Sequence, residues 1–317
     1  MIRYRTFRNT DPPALTEVWN ECFTGRGAYP LRSAGPLEFA LFSKPYFDSQ
    51  GLVIAENDDQ IVGFVHAGFG ADQAEKKLNH ETGVVCVLGV RTAHRRQGIG
   101  SELLRRAEEY VRSRGAKDVV AGQVRPYTPF YFGVYGNAHL PGFLNSDPLA
   151  APFFEKHGYS CWRTTQVFER QLQPMDPIID QRFLSLRRRY DVQLVMAPEL
   201  HSWWQNCVFG SIEPVEFRLL DKLKGIPSAR TLIWEMNAFR GAGAPMAGII
   251  DLNVRPDAQR QGLARFLLSQ MMRYLQEQFF RLIEIQCLEG SEPCIQLLRG
   301  LGFEQVDVGR SFRKALA

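Results

Sequence analysis

Residues 88–100 read LGVRTAHRRQGIG, and residues 252–264 read LNVRPDAQRQGLA. Six of the thirteen aligned positions are identical, and the last two are similar. A second pair of stretches follows in the same order, FFEKHGY from Phe153 to Tyr159 and LLRGLGF from Leu297 to Phe303. Because two matched stretches in one order are hard to obtain by chance, we interpret the chain as a duplicated domain.

The two copies have unequal lengths. The chain of 317 residues is long enough for about two domains. The glycines of the two motifs lie 60 residues apart in the first copy and 40 in the second. The surplus falls mainly in residues 125–148, where Pro, Gly and aromatic residues predict an ordered loop. We predict an N-terminal domain over 1–172, a linker over 173–190 and a shortened C-terminal domain over 191–317.

The composition is that of an ordinary globular protein, with 45% hydrophobic and 23% charged residues. A net charge of +4 is too small to indicate a nucleic-acid partner. The six cysteines are scattered without a C-x-x-C motif, which predicts free thiols and no metal site. The charged start, MIRYRTFR, is not a signal peptide, and no apolar run has the length of a membrane helix. We therefore expect a cytoplasmic protein without a membrane partner.

Hydrophobic periodicity predicts a mixed α/β order of elements. In the first copy the predicted elements are a strand over 2–7, a helix from Asp11 to Phe23, a short helix over 36–43, a hairpin over 52–66, a strand over 84–90, a helix over 98–114, a strand over 119–124, a helix ending at Gly158 and a strand over 161–172. In the second copy we predict a strand over 191–196, early helices that contain Trp203, Trp204 and Phe209, and a strand over 231–239. No hairpin is predicted before that last strand.

The turn that contains Gly98 has the composition of a phosphate site. It passes directly into a predicted helix, whose first N–H groups lack partners within the helix and carry partial positive charge. Glycine lets a ligand approach the main chain closely, and Arg95 and Arg96 add formal charge. These features favour a diphosphate held mainly by backbone donors. The third glycine of a dinucleotide fingerprint and the Gly-Lys-Ser/Thr of a Walker loop are both missing from the sequence.

A strand followed by R-x-x-G-x-G resembles motif A of the GNAT superfamily of N-acetyltransferases. Both RRQGIG at 95–100 and QRQGLA at 259–264 fit the [QR]-x-x-G-x-[GA] turn of that motif. The stretch DPLAAPFFEKHGY at 147–159 resembles the later N-P-x-A-x-x-x-Y-E-K-x-G-F segment. The tandem arrangement resembles mycothiol synthase and other two-copy GNAT proteins, a likeness of architecture that names no substrate.

The resemblance implies an α/β fold of two GNAT acyl-CoA N-acyltransferase-like domains. Each would have a central, mostly antiparallel sheet with a splayed parallel pair, flanked by helices. Acetyl-CoA would be the acyl donor, and backbone N–H groups near Leu88 and Val90 would polarise its thioester carbonyl while an amine attacks. The resemblance assigns cofactor binding to Leu88, Gly89, Val90, Arg95, Arg96, Gln97, Gly98, Ile99, Gly100 and Ser101 in the first copy, and to Leu252, Val254, Gln259, Arg260, Gln261, Gly262, Leu263 and Ala264 in the second.

The catalytic groups depart from the family pattern. The family often places a tyrosine as general acid in the later segment, where this chain has Phe154 and Leu298. The candidate substitutes are the loop residues Tyr127, Tyr131 and Tyr135, of which we single out Tyr131 and Tyr135. The alternatives are that solvent supplies the proton or that a copy is inert.

The general base is also left open. For the first copy we name Glu81, just before the apolar strand, although a solvated loop acid is the plainer interpretation. Asp251 stands on the corresponding strand of the second copy, where a structural hydrogen bond is the alternative. His66, His94 and His139 are further candidates.

Two functions remain open at this point. The first is an N-acetyltransferase that acts on an amine of a small molecule or protein, with the N-terminal copy as the active unit because it keeps the hairpin, both glycines and the long loop. The second is a non-catalytic acyl-CoA-binding or structural module with a decayed site. The acceptor amine and the oligomeric state are not specified by the sequence.

Overall fold

The structure, a computed structural model, describes residues 1–135, 137–173, 181–237 and 243–316. The chain forms two compact units. The first contains Met1–Thr165, His201–Ser211 and Asp307–Ala317, and the second contains Gln166–Leu200 and Ile212–Val306. Neither unit is a continuous piece of the chain. The predicted boundaries at 172 and 191 describe the order of the repeats in sequence, whereas the units exchange segments across them.

The first unit is built on a mixed sheet. Its elements are β1 (Ile2–Thr6), α1 (Pro12–Cys22), α2 (Gly35–Leu37, continued by a wider helical turn over Glu38–Phe42), β2 (Leu52–Asn57), β3 (Gln60–Ala71), β4 (Leu78–Val90), α3 (Ile99–Ser113), β5 (Asp118–Ala121), β6 (Phe143–Leu144), α4 (Ala150–Lys156) and the start of β7 (Ser160–Gln171). The strand order is β1-β2-β3-β4-β5 followed by β13 (Glu304–Ala315). Pairs β1–β2, β2–β3, β3–β4 and β5–β13 are antiparallel, and β4–β5 is parallel.

The second unit repeats this plan. Its elements are the rest of β7, α5 (Gln181–Arg189), β8 (Tyr190–Met196), β9 (Val215–Asp221), β10 (Ile226–Glu235), β11 (Met246–Val254), α7 (Leu263–Glu277), β12 (Leu282–Leu288) and α8 (Glu292–Gly300). The strand order is β7-β12-β11-β10-β9-β8, with β11–β12 as the parallel pair. The fold class predicted from the resemblance is therefore confirmed.

The last strand of each repeat belongs in part to the other unit. β13 closes the second copy in sequence, yet its residues from Asp307 onward belong to the first unit, where Phe312 pairs with Ala121. β7 closes the first copy in sequence, yet its residues from Gln166 onward belong to the second unit, next to β12 in strand order. Each sheet is thus completed by a strand that the other repeat encodes.

Helix α6 (Trp203–Phe209) also crosses the sequence boundary. We predicted it as part of the second copy, and it packs within the first unit. Ser202, its N-cap, donates a hydrogen bond to the Glu75 carboxylate, and the Trp204 N–H donates to the Glu75 carbonyl. The ring of Trp204 lies 4.9 Å from that of Tyr46. The helix therefore adds apolar cover to the first sheet.

Two sequence expectations need correction. We predicted no hairpin before the strand at 231, but β9 and β10 form one, with Asp221 paired to Ile226. We predicted a linker over 173–190, but Gln181–Arg189 is the helix α5. The residues 174–180 of that linker, and residues 238–239 of the strand predicted to end at 239, lie outside the described part of the chain.

Each unit has its own apolar core. In the first, α3 lays Leu103, Ala107 and Val111 on the sheet, and all three are fully buried. In the second, the buried face of α7 includes Phe266, Leu267 and Met271. No helix in the described ranges combines the length and apolarity that crossing a membrane would need.

Candidate active site

The first phosphate turn lies between β4 and α3. Arg96 and Gly98 both have positive φ, 61° and 83°, and Gly98 is the N-cap of α3 with no side chain capping the helix. The first amides of α3 therefore have no partner within the helix. A Cβ built at Gly98 would meet no atom within 4 Å. The turn is open, and its main chain can accept an anion directly above the glycine.

Side chains fix the shape of this turn. The Arg95 guanidinium donates from Nε to the Val90 carbonyl at 2.9 Å, which ties the turn to the end of β4. Arg91 donates to the Ile61 carbonyl and pairs with Glu21 at 2.6 Å, so its role is structural. Arg96 is exposed beside the glycine. Of the basic residues here, Arg96 is the one whose side chain is positioned to meet a solvent-borne anion.

The parallel strands β4 and β5 separate beyond Val85. Their pairing runs from Thr82–Asp118 to Val85–Ala121, where β5 ends, while β4 continues to Val90. This is the splayed pair that the resemblance implies. Both the Tyr135 hydroxyl, at 3.4 Å, and the Gln123 side-chain amide, at 3.5 Å, donate to the Cys86 carbonyl on β4.

The splay exposes main-chain groups of β4. Successive residues of a strand turn their N–H and C=O groups to opposite sides. The Arg91 N–H donates to the Val62 carbonyl of β3, so Leu88, three residues before Arg91, turns its N–H away from β3. Val90, two further on, has its carbonyl bound by Arg95. The role of the Leu88 N–H as donor to a thioester carbonyl stays a prediction.

The two loop tyrosines differ in position. Tyr135 is partly exposed, its hydroxyl contacts Cys86, and burial of the ring raises its pKa, so the hydroxyl stays protonated. Tyr131 is 1% exposed and stacks on Trp19 with ring centroids 5.8 Å apart. Its hydroxyl is among the buried polar atoms without a hydrogen-bond partner. Tyr135 thus offers a proton at the splay, whereas Tyr131 lies inside the core.

Glu81 lies at the other end of β4. Its carboxylate pairs with Lys117 at 3.2 Å, and the Glu81 side chain is 71% exposed. Its main-chain carbonyl accepts from the Lys117 N–H, in the paired part of the β4–β5 ladder. Its role as general base remains a prediction.

The later motif contributes packing to the site. Phe154, at the position of the family tyrosine, is 2% exposed and stacks on Phe143 with centroids 4.9 Å apart. Its neighbour Phe153 points the other way, since its ring lies 3.4 Å from a Cβ built at Gly100. His157 bonds to the Ser101 hydroxyl at 2.9 Å. The motif therefore braces the start of α3 and supplies no acid at position 154.

The histidine candidates are mostly buried in the first unit. Burial lowers the pKa of His66 to about 3 and that of His139 to about 3, which keeps both rings neutral near pH 7. Both ring nitrogens of His66 lack a hydrogen-bond partner, and its ring lies 4.5 Å from that of Phe130. His94 lies on the turn after β4. In the second unit, Asp251 pairs with Arg230 at 3.7 Å.

The second phosphate turn copies the backbone of the first. Arg260 and Gly262 have φ of 61° and 81°, and Gln259 donates to the Val254 carbonyl as Arg95 does to that of Val90. The space above the glycine differs. A Cβ built at Gly262 would lie 3.1 Å from Nε of Arg182, which extends from α5. No sequence pattern indicates this contact, because Arg182 lies 80 residues from Gly262 in a stretch that resembles a linker.

Comparison with known families agrees with this geometry. The family model described as the acetyltransferase (GNAT) family matches residues 13–131 and, separately, residues 197–303. One match falls on each copy of the repeat. No curated protein sequence gives a significant match to the chain.

Solved structures with the same fold include other tandem proteins. A tandem GNAT protein from the clavulanic acid biosynthesis pathway has a TM-score of 0.68 and 18% identity, with 99% of this chain and 98% of that one covered. A GCN5-related N-acetyltransferase from Sphaerobacter thermophilus has a TM-score of 0.64 and 18% identity, with 99% and 95% covered. A GCN5-related glucosamine N-acetyltransferase region of a fungal GH3 β-N-acetylglucosaminidase has a TM-score of 0.72 and 16% identity, with 99% of this chain and 38% of that one covered. At these identities the likeness shows the fold alone.

Proposed function

The chain belongs to the GNAT acetyltransferase family, and on this premise we propose that its N-terminal copy transfers an acetyl group from acetyl-CoA to an amine. The acceptor is an amine of a small molecule or of a protein. The observation that carries the proposal is the open turn at Gly98, set at the end of a strand whose main chain is exposed by the splay.

The residues of the first turn fit the diphosphate of acetyl-CoA. The amides from Gln97 to Ser101 are free to donate to it at the start of a fifteen-residue helix, where the helix dipole also favours negative charge. Arg96 adds a formal charge at the surface. Bound there, acetyl-CoA supplies a thioester, whose carbonyl carbon an amine can attack.

The main chain of β4 stabilises the oxyanion, and Tyr135 protonates the leaving thiolate. The Leu88 N–H stabilises negative charge that develops on the carbonyl oxygen, in the manner of an oxyanion hole. The Tyr135 hydroxyl gives its proton to the departing sulfur, and it is already held at the splay by the Cys86 carbonyl. Tyr135 thus replaces the acid that Phe154 cannot supply.

The amine must lose a proton as it attacks. Glu81, the base predicted from the sequence, lies roughly 20 Å before Leu88 along β4 and pairs with Lys117, so in this mechanism solvent takes up the proton of the amine. The variant Glu81→Gln is therefore expected to keep the wild-type kcat, whereas a kcat that falls at neutral pH and recovers where the free amine is neutral would assign the base to Glu81. A pH profile of kcat identical to that of the wild type would mean that solvent takes up the proton of the amine.

Acetyl-CoA turnover over a panel of amines tests the proposal. Release of free CoA that depends on one class of amine is expected from the wild type, and none from Gly98→Glu, which fills the turn and adds like charge. Gly210→Glu is a matched control, since a Cβ at Gly210 meets nothing within 4 Å and lies outside the turn. Tight acetyl-CoA binding with no turnover on any amine would instead indicate the non-catalytic acyl-CoA-binding module.

A further inference from the structure

We propose that Arg182 fills the second phosphate turn, so that the chain binds a single molecule of acyl-CoA, at its first copy. The inference rests on the proposed function for the identity of the ligand. The two turns fit the same sequence motif, but the space above the glycine differs between them.

The main chains of the two turns superimpose in their dihedral angles. Arg96 and Arg260 both have φ of 61°, while Gly98 and Gly262 have 83° and 81°. The glutamines before the glycines also match, since Gln97 donates to the Ala93 carbonyl and Gln261 to that of Asp257, each at 3.3 Å. A difference in anion binding therefore cannot arise from the backbone of the turns.

The difference lies in the occupant of the space above the glycine. A Cβ at Gly98 meets nothing within 4 Å. At Gly262 the same point lies 3.1 Å from Nε, 3.3 Å from Cζ and 3.4 Å from an Nη of Arg182. That guanidinium also donates to the Arg260 carbonyl at 3.4 Å. The guanidinium therefore stands where a diphosphate would have to approach the second turn.

Packing of α5 fixes the main chain of Arg182, whose side chain is exposed. The next residue, Phe183, lies edge-on to Phe266 of α7 with ring centroids 5.3 Å apart. Leu186, one turn further on, is 9% exposed and belongs to the core of the second unit. At the far end of the helix, Arg189 pairs with Asp221 at 3.0 Å. Moving Arg182 aside thus requires either a new rotamer or displacement of a packed helix.

A guanidinium can also bind phosphate, and the experiment separates the two roles. If Arg182 excludes the ligand, its removal adds a site. If Arg182 binds the ligand, its removal weakens or abolishes a site that the wild type already has. The two roles predict opposite changes in stoichiometry.

Isothermal titration of the full chain with acetyl-CoA provides the measurement. We expect one site in the wild type, none in Gly98→Glu and two in Arg182→Ala. The double variant Gly98→Glu/Arg182→Ala should bind one molecule, at the second turn. Arg188→Ala removes an exposed arginine from the same helix and should leave one site, as the control for loss of charge. Thermal unfolding of each variant checks that the fold is retained.

Three outcomes would overturn the inference. Two sites in the wild type would do so while leaving the proposed function intact, and so would a single site in Arg182→Ala. Absence of any acetyl-CoA binding by the folded wild type would overturn both this inference and the proposed function.

Discussion

In the proposed mechanism, the chemistry of the first copy depends most on Tyr135. Its hydroxyl contacts the Cys86 carbonyl at 3.4 Å. Burial raises the pKa of Tyr135, so this hydroxyl stays protonated beside the point where β4 and β5 separate. We expect Tyr135→Phe to lower kcat about 100-fold, the lower range for loss of a general acid, with KM for acetyl-CoA little changed.

Tyr131→Phe is the matched control for that variant. Its hydroxyl has no hydrogen-bond partner and its ring is 1% exposed, so removal of the oxygen changes neither a bond nor the packing. We expect kcat to stay within about threefold of the wild type. If Tyr131→Phe lowers kcat and Tyr135→Phe does not, Tyr131 is the general acid. If neither variant lowers kcat, the proton for the departing sulfur comes from solvent.

Two buried histidines make stability depend on pH. Burial holds the pKa of His66 and of His139 at about 3, below their value of about 6.5 in an unfolded chain. Below pH 6.5 these two histidines therefore bind protons in the unfolded chain but not in the folded chain. The free energy of unfolding should fall as pH drops, by about 1 kcal/mol per histidine between pH 7 and pH 5.5.

Urea unfolding of His66→Leu tests this dependence. Because the variant lacks one of the two histidines, its loss of stability between pH 7 and pH 5.5 should be about 1 kcal/mol smaller than that of the wild type. This range lies above the pH at which ordinary carboxylates titrate, so they contribute little. An unchanged loss would mean that the ring of His66 takes up its proton in the folded state.

At the level of whole elements, the sequence predicts best where apolar residues recur with a clear period. The helix predicted over 98–114 is Ile99–Ser113, and the hairpin over 52–66 lies within β2 and β3. The two turns were predicted because each joins a strand to a helix start through a glycine with an arginine close by. Local patterns of this kind need no knowledge of distant contacts.

The elements that sequence reasoning missed depend on distant contacts. α5 has three consecutive arginines at its end, and its one buried residue, Leu186, packs on a core formed by later residues. The β9–β10 hairpin turns through Lys222–Gly225, which contains neither Asn-Gly nor Asp-Gly. The contact of Arg182 with Gly262 likewise joins residues that only the fold brings together.

Close packing of α3 on β4 yields a prediction at the same scale. A Cβ built at Gly83 would lie 2.6 Å from Cβ of Val111, a distance that requires the helix or the strand to move. We expect Gly83→Ala to destabilise the protein by about 1–3 kcal/mol, as overpacking does.

Gly210→Ala is the control, because its φ is −58° and a Cβ there meets nothing within 4 Å. It should change the free energy of unfolding by less than about 0.5 kcal/mol. Chemical denaturation measures both variants. Equal stability of the two would show that α3 can shift on the sheet without cost.

At the scale of the whole molecule, parts of β7 and β13 are exchanged between two repeats that the sequence predicts as separate domains. Phe312 is encoded at the end of the second copy, is fully buried, and stacks on Phe154 of the first at 6.1 Å. Arg313 pairs with Asp118 at 2.8 Å, and Lys314 with Glu108 at 2.9 Å. The first phosphate turn therefore depends on residues about 200 positions beyond it in the chain.

Truncation tests this dependence directly. Residues 1–172 contain the whole first motif, but they lack β13, so β5 becomes an unpaired edge and the pocket for Phe312 is emptied. We expect this fragment to aggregate or to unfold without a cooperative transition, and to bind no acetyl-CoA. In the full chain, Phe312→Ala should lower the stability of the first unit by about 3–5 kcal/mol, whereas Phe303→Ala should act on the second unit, whose core contains it. A monomeric 1–172 fragment that unfolds cooperatively and binds acetyl-CoA would show that β13 is dispensable, and that the first copy is an independent domain after all.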